Sequence, residues 1–514
     1  MQKTLNKLAP GLVVLLGFFF VWPPSSFASV DALTIQTPAI CRYTGSWFQI
    51  GRQIGAAHPD YILEFSKSME TALFFVGLSS GWNAAHVETY YGLIEDIVPE
   101  NIKDHMAGLA VGITETLPVS YETAWQAVLT QNLAVEMLNM ARNMETVPDP
   151  DAFVIRGCTG LAVTSENGTF LCHNTDATDG GGDNIVLIMY WEPDNGDYAY
   201  MTMDPPGWAD TNYAMNEKKI GVSLNAGSHH VGADIGLPIN FMLRKIMEQA
   251  ASLDEAVAIL EDYLDAGNNF GIAGALVHLV DFNNHTLAKV QVMSDEIDIT
   301  YGETATAGAT YIASANHYVG AIVRDPDYSY ESSEIRYQRL LELVAETETF
   351  DLSACWDIMQ DTNDGEAGAN TISRADGSTA TIFGNIFTGD GMSYTLGPPH
   401  AYFDKYGEAG YIGFDEISAL EPKTFTATPR AFGVILEWAV HDASRIKGYN
   451  LYRATRQNGP YAPINSELLT DTTYRDQWLW NRQRYYYKLQ VVFNDDSTVM
   501  RNIVNATPKL IYWF

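Results

Sequence analysis

The chain has 514 residues, 46% of them hydrophobic, with 30 basic and 63 acidic side chains and a formal net charge of −33. That length allows two to four domains with ordinary apolar cores. So acidic a chain repels nucleic acid, anionic membrane surfaces and polyphosphates such as coenzyme A, so no nucleic-acid partner is expected.

Residues 1–28 read as a secretory signal. Lys3 and Lys7 form a charged start, 12–22 is an apolar stretch short for a bilayer, and Ser26 and Ala28 supply a small-x-small cleavage pattern. The expectation is a secreted or periplasmic protein with no integral membrane segment once the signal is removed. Cys41, Cys158, Cys172 and Cys355 are too few and too scattered for a disulfide framework. If one is a nucleophile, at most one internal bridge remains, and Cys41–Cys355 is conceivable.

Residues 29–145 look mainly helical, with apolar residues at helical spacing over 61–75, 87–98 and 125–140. Pro148-Asp149-Pro150 then breaks the pattern. From Phe153 the period changes to two. Strands at 159–164 and 169–174 flank Glu166-Asn167-Gly168, a hairpin signal, and strands at 185–191 and 198–203 flank a second turn. A strand at 220–224 continues this antiparallel meander. Helices follow from Pro238 to Ile246 and from Ser252, with Glu255 at capping-box spacing, to Leu264. Strands return at 275–281, 287–293 and 311–315, the last ending at Asn316-His317. A helix at 334–345 precedes strands at 381–387 and 392–396. Helices, sheet, helices, sheet is the order of a layered α+β fold. From about Pro422 the pattern turns all-β, with strands at 433–439, 448–453 and 484–492. These about 90 residues predict a small β-sandwich.

The chemistry centres on Arg156-Gly157-Cys158-Thr159-Gly160. A cysteine opening an apolar strand is ordinarily a small core residue. Here glycine precedes it, leaving the preceding carbonyl open to attack by the thiol, and it stands where helices give way to sheet. Asp176, Asn225, Asn316 and Arg336 lie downstream at predicted strand ends or on a helix. Other motifs are weaker. Asp176-x-x-Asp179 lacks the spacing of a calcium loop. His229-His230 and His317 form no zinc motif. Gly77-Leu78-Ser79-Ser80-Gly81 fits a serine-hydrolase elbow formally, but its flanks read as helix on both sides. No cofactor or metal motif is present, and none is expected.

The stretch from about 40 to 415 resembles the isopenicillin-N acyltransferase-like branch of the N-terminal nucleophile cysteine hydrolases. The resemblance rests on Gly157-Cys158-Thr159, His173-Asn174-Thr175-Asp176, Gly221-Val222-Ser223-Leu224-Asn225, Gly236-Leu237-Pro238 with Arg244, Ala315-Asn316-His317, and Ser332 to Arg339, in that order. The C-terminal segment, with Trp438, the 448–453 strand and Tyr485 to Tyr487, resembles a fibronectin type III domain. These resemblances imply an α+β, αββα sandwich followed by a small all-β sandwich. They imply self-cleavage between Gly157 and Cys158, with Cys158 as the new N-terminal nucleophile, and cleavage or transfer of an acyl group at an amide. A terminal amine near neutral pKa suits it as the base for its own thiol. Asn225 and Asn316 are then candidate oxyanion donors, and Asp176 and Arg336 candidate orienting groups. The expected partition is 1–28 signal, 29–157 helical α chain, 158–420 catalytic core and 421–514 accessory sandwich, with the two cleaved chains staying associated. The expected substrate is a small-molecule or peptide amide. The rival reading from another class is a non-catalytic extracellular binding protein on a hydrolase scaffold. Chain integrity discriminates the two.

Overall fold

The computed structural model describes residues 40–80, 86–143, 156–178, 186–227, 235–271, 274–305, 308–320, 331–363, 365, 367–375, 379–419, 422–440, 446–456, 459–480, 482–493, 498–500 and 504–508. The signal segment, Pro148-Asp149-Pro150, the loop beyond Thr178 with Asp179, and His229-His230 lie outside them, as does Gly81 of the Gly77–Gly81 motif.

The mainly helical stretch opens on a strand that the spacing did not indicate: β1 (Ile40–Gly45) pairs in parallel with a later strand. Helices α1 (Trp47–Ala57), α2 (Pro59–Ser80), α3 (Val87–Ile94), α4 (Glu100–Thr116) and α5 (Tyr121–Asn143) follow. Ser46 starts α1 with a full capping box, its hydroxyl accepting from the Gln49 amide while Gln49 accepts from the Ser46 amide. The closest helix contact, α1 on α4, is made by glycines. A Cβ at Gly51 or Gly55 would stand 2.1 or 2.2 Å from the His105 or Leu109 carbonyl oxygen.

Two sheets then form. The strands are β2 (Arg156–Ser165), β3 (Gly168–Thr178), β4 (Leu187–Pro193), β5 (Tyr200–Asp204), β6 (Tyr213–Asn216), β7 (Ile220–Ala226), β8 (Ala275–Asp281), β9 (Thr286–Val292), β10 (Ile297–Tyr301), β11 (Glu303–Thr304), β12 (Thr310–Ser314), β13 (Thr379–Phe387), β14 (Gly391–Leu396) and β15 (Gly410–Gly413). The interspersed helices are α6 (Ile239–Gln249), α7 (Leu253–Asp265), α8 (Glu331–Glu346), α9 (Leu352–Met359), α10 (Pro399–Tyr406) and α11 (Phe414–Ala419). One sheet runs β10-β9-β8-β7-β6-β5-β4-β1, and the other β11-β12-β2-β3-β13-β14-β15.

Strand alternation sorts the core into layers. Leu161, Val163, Phe170 and Cys172 face a cluster with Leu340, Val344 and Trp356 of α8 and α9. Their neighbours Ala162 and Leu171 point the other way, into a core shared with Ile188, Met201, Met215 and Val280 of the opposite sheet. The far face of that sheet, with Leu187, Met189, Val222 and Val277, packs on the N-terminal helices and on α6 and α7. Helix, sheet, sheet, helix is the αββα sandwich.

The C-terminal strands β16 (Pro422–Arg430), β17 (Gly433–Val440), β18 (Ile446–Ala454), β19 (Ala462–Pro463), β20 (Thr473–Gln477), β21 (Tyr485–Phe493), β22 (Thr498–Met500) and β23 (Val504–Ala506) form two layers. β16-β17-β20 is one sheet, and β18, β19, β21, β22 and β23 make the other. This fibronectin type III-like sandwich does not stand apart. The pair Ile40↔Val499 joins β1 to β22, and Val434, Trp438, Tyr449 and Tyr487 share an apolar cluster with Ile40, Ile188 and Tyr190. No helix among the described residues is long and apolar enough to cross a membrane.

Candidate active site

Cys158 lies near the start of β2, an inner strand bonded to β3 on one side and β12 on the other. It shares strand parity with Gly160 and Ala162, so its side chain belongs to the face between the sheets. It is buried. Its backbone is held at both ends. The Cys158 N–H donates to Asn316 Oδ1 at 2.9 Å. The Cys158 carbonyl accepts from Arg336 Nη1 at 2.5 Å, and the same guanidinium donates to Thr159 Oγ1 at 2.9 Å and Asn316 Oδ1 at 2.8 Å.

Arg336 reaches this point from α8, which is held against the Asn316 turn by Ser333. The Ser333 hydroxyl accepts from the Asn316 amide at 2.7 Å and lies 2.7 Å from His317 Nδ1. Burial lowers the Arg336 pKa to about 10, while the charges of Asp176 and Cys158 pull it back up. Its hydrogen bonds all go to neutral oxygens, so its charge is not spent on a directly bonded carboxylate.

Asp176 lies inside β3, opposite Gly157 across the β2–β3 ladder, not at the start of a loop. It is fully buried. It accepts from Thr381 Oγ1 at 2.8 Å and pairs with Arg374 Nη1 at 3.4 Å. Burial raises its pKa, and Arg374, Arg336 and Thr381 oppose that rise. Thr381 is aimed by a register shift between Thr381 and Phe383 in β13, an irregularity of the kind that re-aims side chains beside active sites. Arg374 and Thr381 are the functional candidates that sequence reasoning missed. The available signal was an arginine just ahead of a predicted strand.

Gly157 leaves room for the Asp176–Arg374 pair. A Cβ there would stand 2.5 Å from Arg374 Nη1 and 3.1 Å from Asp176 Oδ2. Its φ is not in the left-handed region, so crowding rather than backbone strain accounts for it.

Both asparagines have their amide nitrogens hydrogen-bonded to backbone carbonyls. Asn316 turns its oxygen, not its amide nitrogen, to Cys158, and its Nδ2 donates to the Ala226 carbonyl at 2.9 Å. Asn225 sits at the end of β7 with its Nδ2 donating to the carbonyls of Ala315 at 2.8 Å and Ser314 at 3.3 Å. Its Oδ1 therefore takes the Nε2 proton of His173 at 3.1 Å, a bond that crosses between the two sheets. Burial lowers the His173 pKa to about 3, so the ring is neutral. The resulting cluster contains two guanidinium groups, Arg336 and Arg374, and one carboxylate, Asp176.

The remaining thiols are elsewhere. Cys355 of α9 contacts Cys172 of β3, and burial followed by that contact pushes the Cys355 pKa up. Cys41 belongs with Tyr43 near β1, so the conceivable pairing of Cys41 with Cys355 is not the one the fold brings together.

Comparison with known proteins adds what the chain is similar to. A family model described as acyl-coenzyme A:6-aminopenicillanic acid acyl-transferase matches residues 163–397, just under half of the chain, and begins past Cys158. No curated protein sequence matches the chain. Among solved structures, an N-acylethanolamine-hydrolyzing acid amidase ortholog from Caenorhabditis elegans is 12% identical over 50% of this chain and 100% of that one, with a TM-score of 0.30. A Fn3-like protein from Clostridium thermocellum is 25% identical over 17% of this chain and 93% of its own, with a TM-score of 0.15. A beta-1,2-glucanase from Parabacteroides distasonis is 22% identical over 18% of this chain, with a TM-score of 0.17, and this chain spans only 14% of its length. The αββα layering and the matched segment agree with the resemblance to the N-terminal nucleophile hydrolases: residues 163–397 of the chain are similar to the acyl-coenzyme A:6-aminopenicillanic acid acyl-transferase family.

Proposed function

We propose that the chain is an exported, self-processing cysteine amidohydrolase whose nucleophile is Cys158. The observation that carries this is the grip on Cys158: its N–H lies on Asn316 Oδ1 and its carbonyl on Arg336, beside a glycine that crowds the Asp176–Arg374 pair.

In the first reaction, Cys158 Sγ adds to the Gly157 carbonyl carbon, and the thiol proton passes to the departing Cys158 nitrogen. The C–N bond breaks and a thioester remains. Water hydrolyses it, leaving a carboxylate on Gly157 and a free amine and thiol on Cys158. The new amine then takes the thiol proton, and the thiolate attacks the carbonyl carbon of a substrate amide. The leaving amine departs with that proton. The acyl thioester is hydrolysed by a water that the amine deprotonates, or taken by a second amine. Hydrolysis fits this acidic, exported chain better than transfer from coenzyme A.

Asn316 is here the residue that orients the amine, through Oδ1. Arg336 stabilises negative charge on the thiolate and in the tetrahedral state. Asn225 supplies an oxyanion donor by giving up the longer of its two bonds, the one to Ser314. Asp176, fixed by Arg374 and Thr381, holds the ammonium form. Residues 1–28 are a removed signal, 29–157 the α chain, and 421–514 an accessory module. The substrate is a small-molecule or peptide amide.

Intact mass and N-terminal sequencing test the proposal. The wild type should yield one chain ending at Gly157 and one beginning at Cys158 that co-elute. Cys158→Ala should stay intact, while Cys172→Ala and Cys355→Ala should still split. An active wild type that never splits, or a Cys158→Ala protein that splits at the same bond, would overturn it. A permanently intact, inactive wild type would favour the binding-protein reading.

A further inference from the structure

The end of the C-terminal sandwich nearest Arg430 has a composition opposite to that of the chain as a whole. The ladder registers Arg430↔Gly433, Gly433↔Gln477, Ala454↔Tyr486 and Tyr485↔Ala506 bring four chain turns to this one end. The described residues there, 428–433, 454–456, 459, 477–480, 482–485 and 504–508, include Arg430, Arg456, Arg482 and Arg484 and no aspartate or glutamate. All four arginines are exposed. The nearest carboxylate inside the sandwich, Asp476, is buried and taken up by Arg453 at 2.7 Å and the Tyr487 hydroxyl at 2.9 Å. In a chain with twice as many acids as bases, a carboxylate-free basic tip is a local charge reversal.

The same tip carries the two most exposed large aromatics among the described residues, Trp478 at 90% and Trp480 at 83%, with Phe432 at 55% on the adjoining turn. They are not loose ends. Leu479 between the two tryptophans is buried, and its N–H donates to the Phe432 carbonyl at 3.0 Å, tying both turns together. The Trp480 N–H donates to the Tyr485 hydroxyl at 3.0 Å. Phe432, Trp478 and Arg482 all hold left-handed backbone angles, with φ of 52°, 62° and 66°. Non-glycine residues rarely adopt such angles unless their surroundings enforce them, and such strain concentrates at ligand-binding positions.

We infer that this tip is a docking surface for an anionic lipid bilayer, with Trp478, Trp480 and Phe432 entering the headgroup boundary and Arg430, Arg456, Arg482 and Arg484 meeting lipid phosphates. Indole and phenyl rings favour that boundary, and guanidinium groups pair with phosphate. A neutral glycan is gripped by carboxylates and amides beside a stacked ring, whereas the charged groups here are all donors. The screening length of about 8 Å at physiological salt lets a local basic patch act despite the acidic body. The tip would hold the enzyme at a surface, and the Cys158 site lies on the αββα core.

The experiment is co-sedimentation of the full processed protein with vesicles of phosphatidylcholine alone or of equal parts phosphatidylcholine and phosphatidylglycerol, with tryptophan emission read in parallel. The wild type should bind the anionic vesicles, release at high salt, and shift its emission to the blue. Trp478→Ala with Trp480→Ala should abolish that shift and reduce partitioning at least about tenfold. Arg430→Gln with Arg482→Gln and Arg484→Gln should reduce it by about fivefold per arginine. Thermal melts of both variants should match the wild type, because these side chains are exposed. The inference is overturned if the wild type ignores anionic vesicles, or if both variants bind them as well as it does. It is equally overturned if the wild type prefers a polygalacturonate resin to the vesicles, or if the tryptophan variant instead turns a dimer into a monomer.

Discussion

Arg244 and Arg336 are both buried by this fold, and they are treated in opposite ways. Arg244, on α6, donates from Nε to Glu248 Oε1 at 2.7 Å, one turn along the same helix, and lies 3.9 Å over the ring of Trp47. It also reaches His105 Nδ1 at 3.0 Å and the Ala209 carbonyl. Its charge is cancelled in place, and the group ties α4, α6 and the 204–213 connection into one unit. Arg336 is nearly as buried, yet its hydrogen bonds go to a backbone carbonyl, a hydroxyl and an amide oxygen. Its charge is left to act on whatever negative charge develops at Cys158. The lesson is that burial alone does not mark a functional cation. What marks it is burial without a bonded carboxylate.

Exchanging the two residues for methionine should separate these roles. In Arg336→Met, cleavage after Gly157 and amide turnover should fall by roughly 10²–10³-fold, as for loss of a preorganised oxyanion donor. The folded state should survive, weakened by about 1–3 kcal/mol for the oxygens left unbonded. In Arg244→Met, Glu248 becomes a buried, uncompensated charge, which costs about 3–5 kcal/mol of stability. Turnover per folded molecule should be unchanged. Urea melts and active-site-normalised rates measure both. The comparison breaks if Arg244→Met is the slow enzyme, or Arg336→Met the unstable protein.

Asp176 sharpens the same contrast at smaller amplitude, because it is the one carboxylate facing two guanidinium groups. Asp176→Asn should leave those charges uncompensated and lower the pKa of the Cys158 amine. The acid limb of kcat/KM should then move to lower pH by about one unit. An unmoved limb would place Asp176 outside the chemistry and leave it a support for Arg374.

The sequence disclosed the local half of this site. The β2–β3 hairpin was legible because period-two alternation brackets Asn167-Gly168, and Cys158 because it stands where helix gives way to strand. Asn316 and Arg336 were legible through their order along the chain and lie together in space, although the atom that Asn316 presents is the reverse of the one expected. Arg374 and Thr381 were not legible, because their meeting with Asp176 depends on β13 pairing with β3 some 200 residues away. β1 escaped for a similar reason: six residues beside a helix, paired in parallel with β4, leave no hairpin signal. α9, an eight-residue helix capped by Asp351, is too short for a helical period to stand out.

The smallest expected effect concerns His173, where charge is removed rather than cancelled or left over. Its Nε2 proton is donated to Asn225 Oδ1, and its Nδ1 lies 3.2 Å from Thr175 Oγ1. Burial holds its pKa near 3, against 6.5 for an exposed histidine. The sign follows from proton uptake. Between those values the unfolded chain binds a proton that the folded chain refuses, so the contribution of His173 is fully present above pH 6.5 and is lost as pH falls toward 3. The slope is about 1.4 kcal/mol per pH unit for one group, hence about 2 kcal/mol between pH 7 and pH 5. Buried His105 and His278 are shifted in the same direction, while the buried carboxyls of Asp204 and Glu248 are raised and oppose the trend. A bare stability profile therefore mixes signs, and the variant has to be compared with the wild type at each pH. His173→Gln keeps a donor for Asn225 but cannot titrate. Its stability deficit at pH 7 should shrink by about 2 kcal/mol at pH 5, read from paired urea melts. A deficit equal at both pH values would mean that His173 takes up its proton as readily folded as unfolded, and that the inter-sheet layer under Asn225 is open to water rather than sealed.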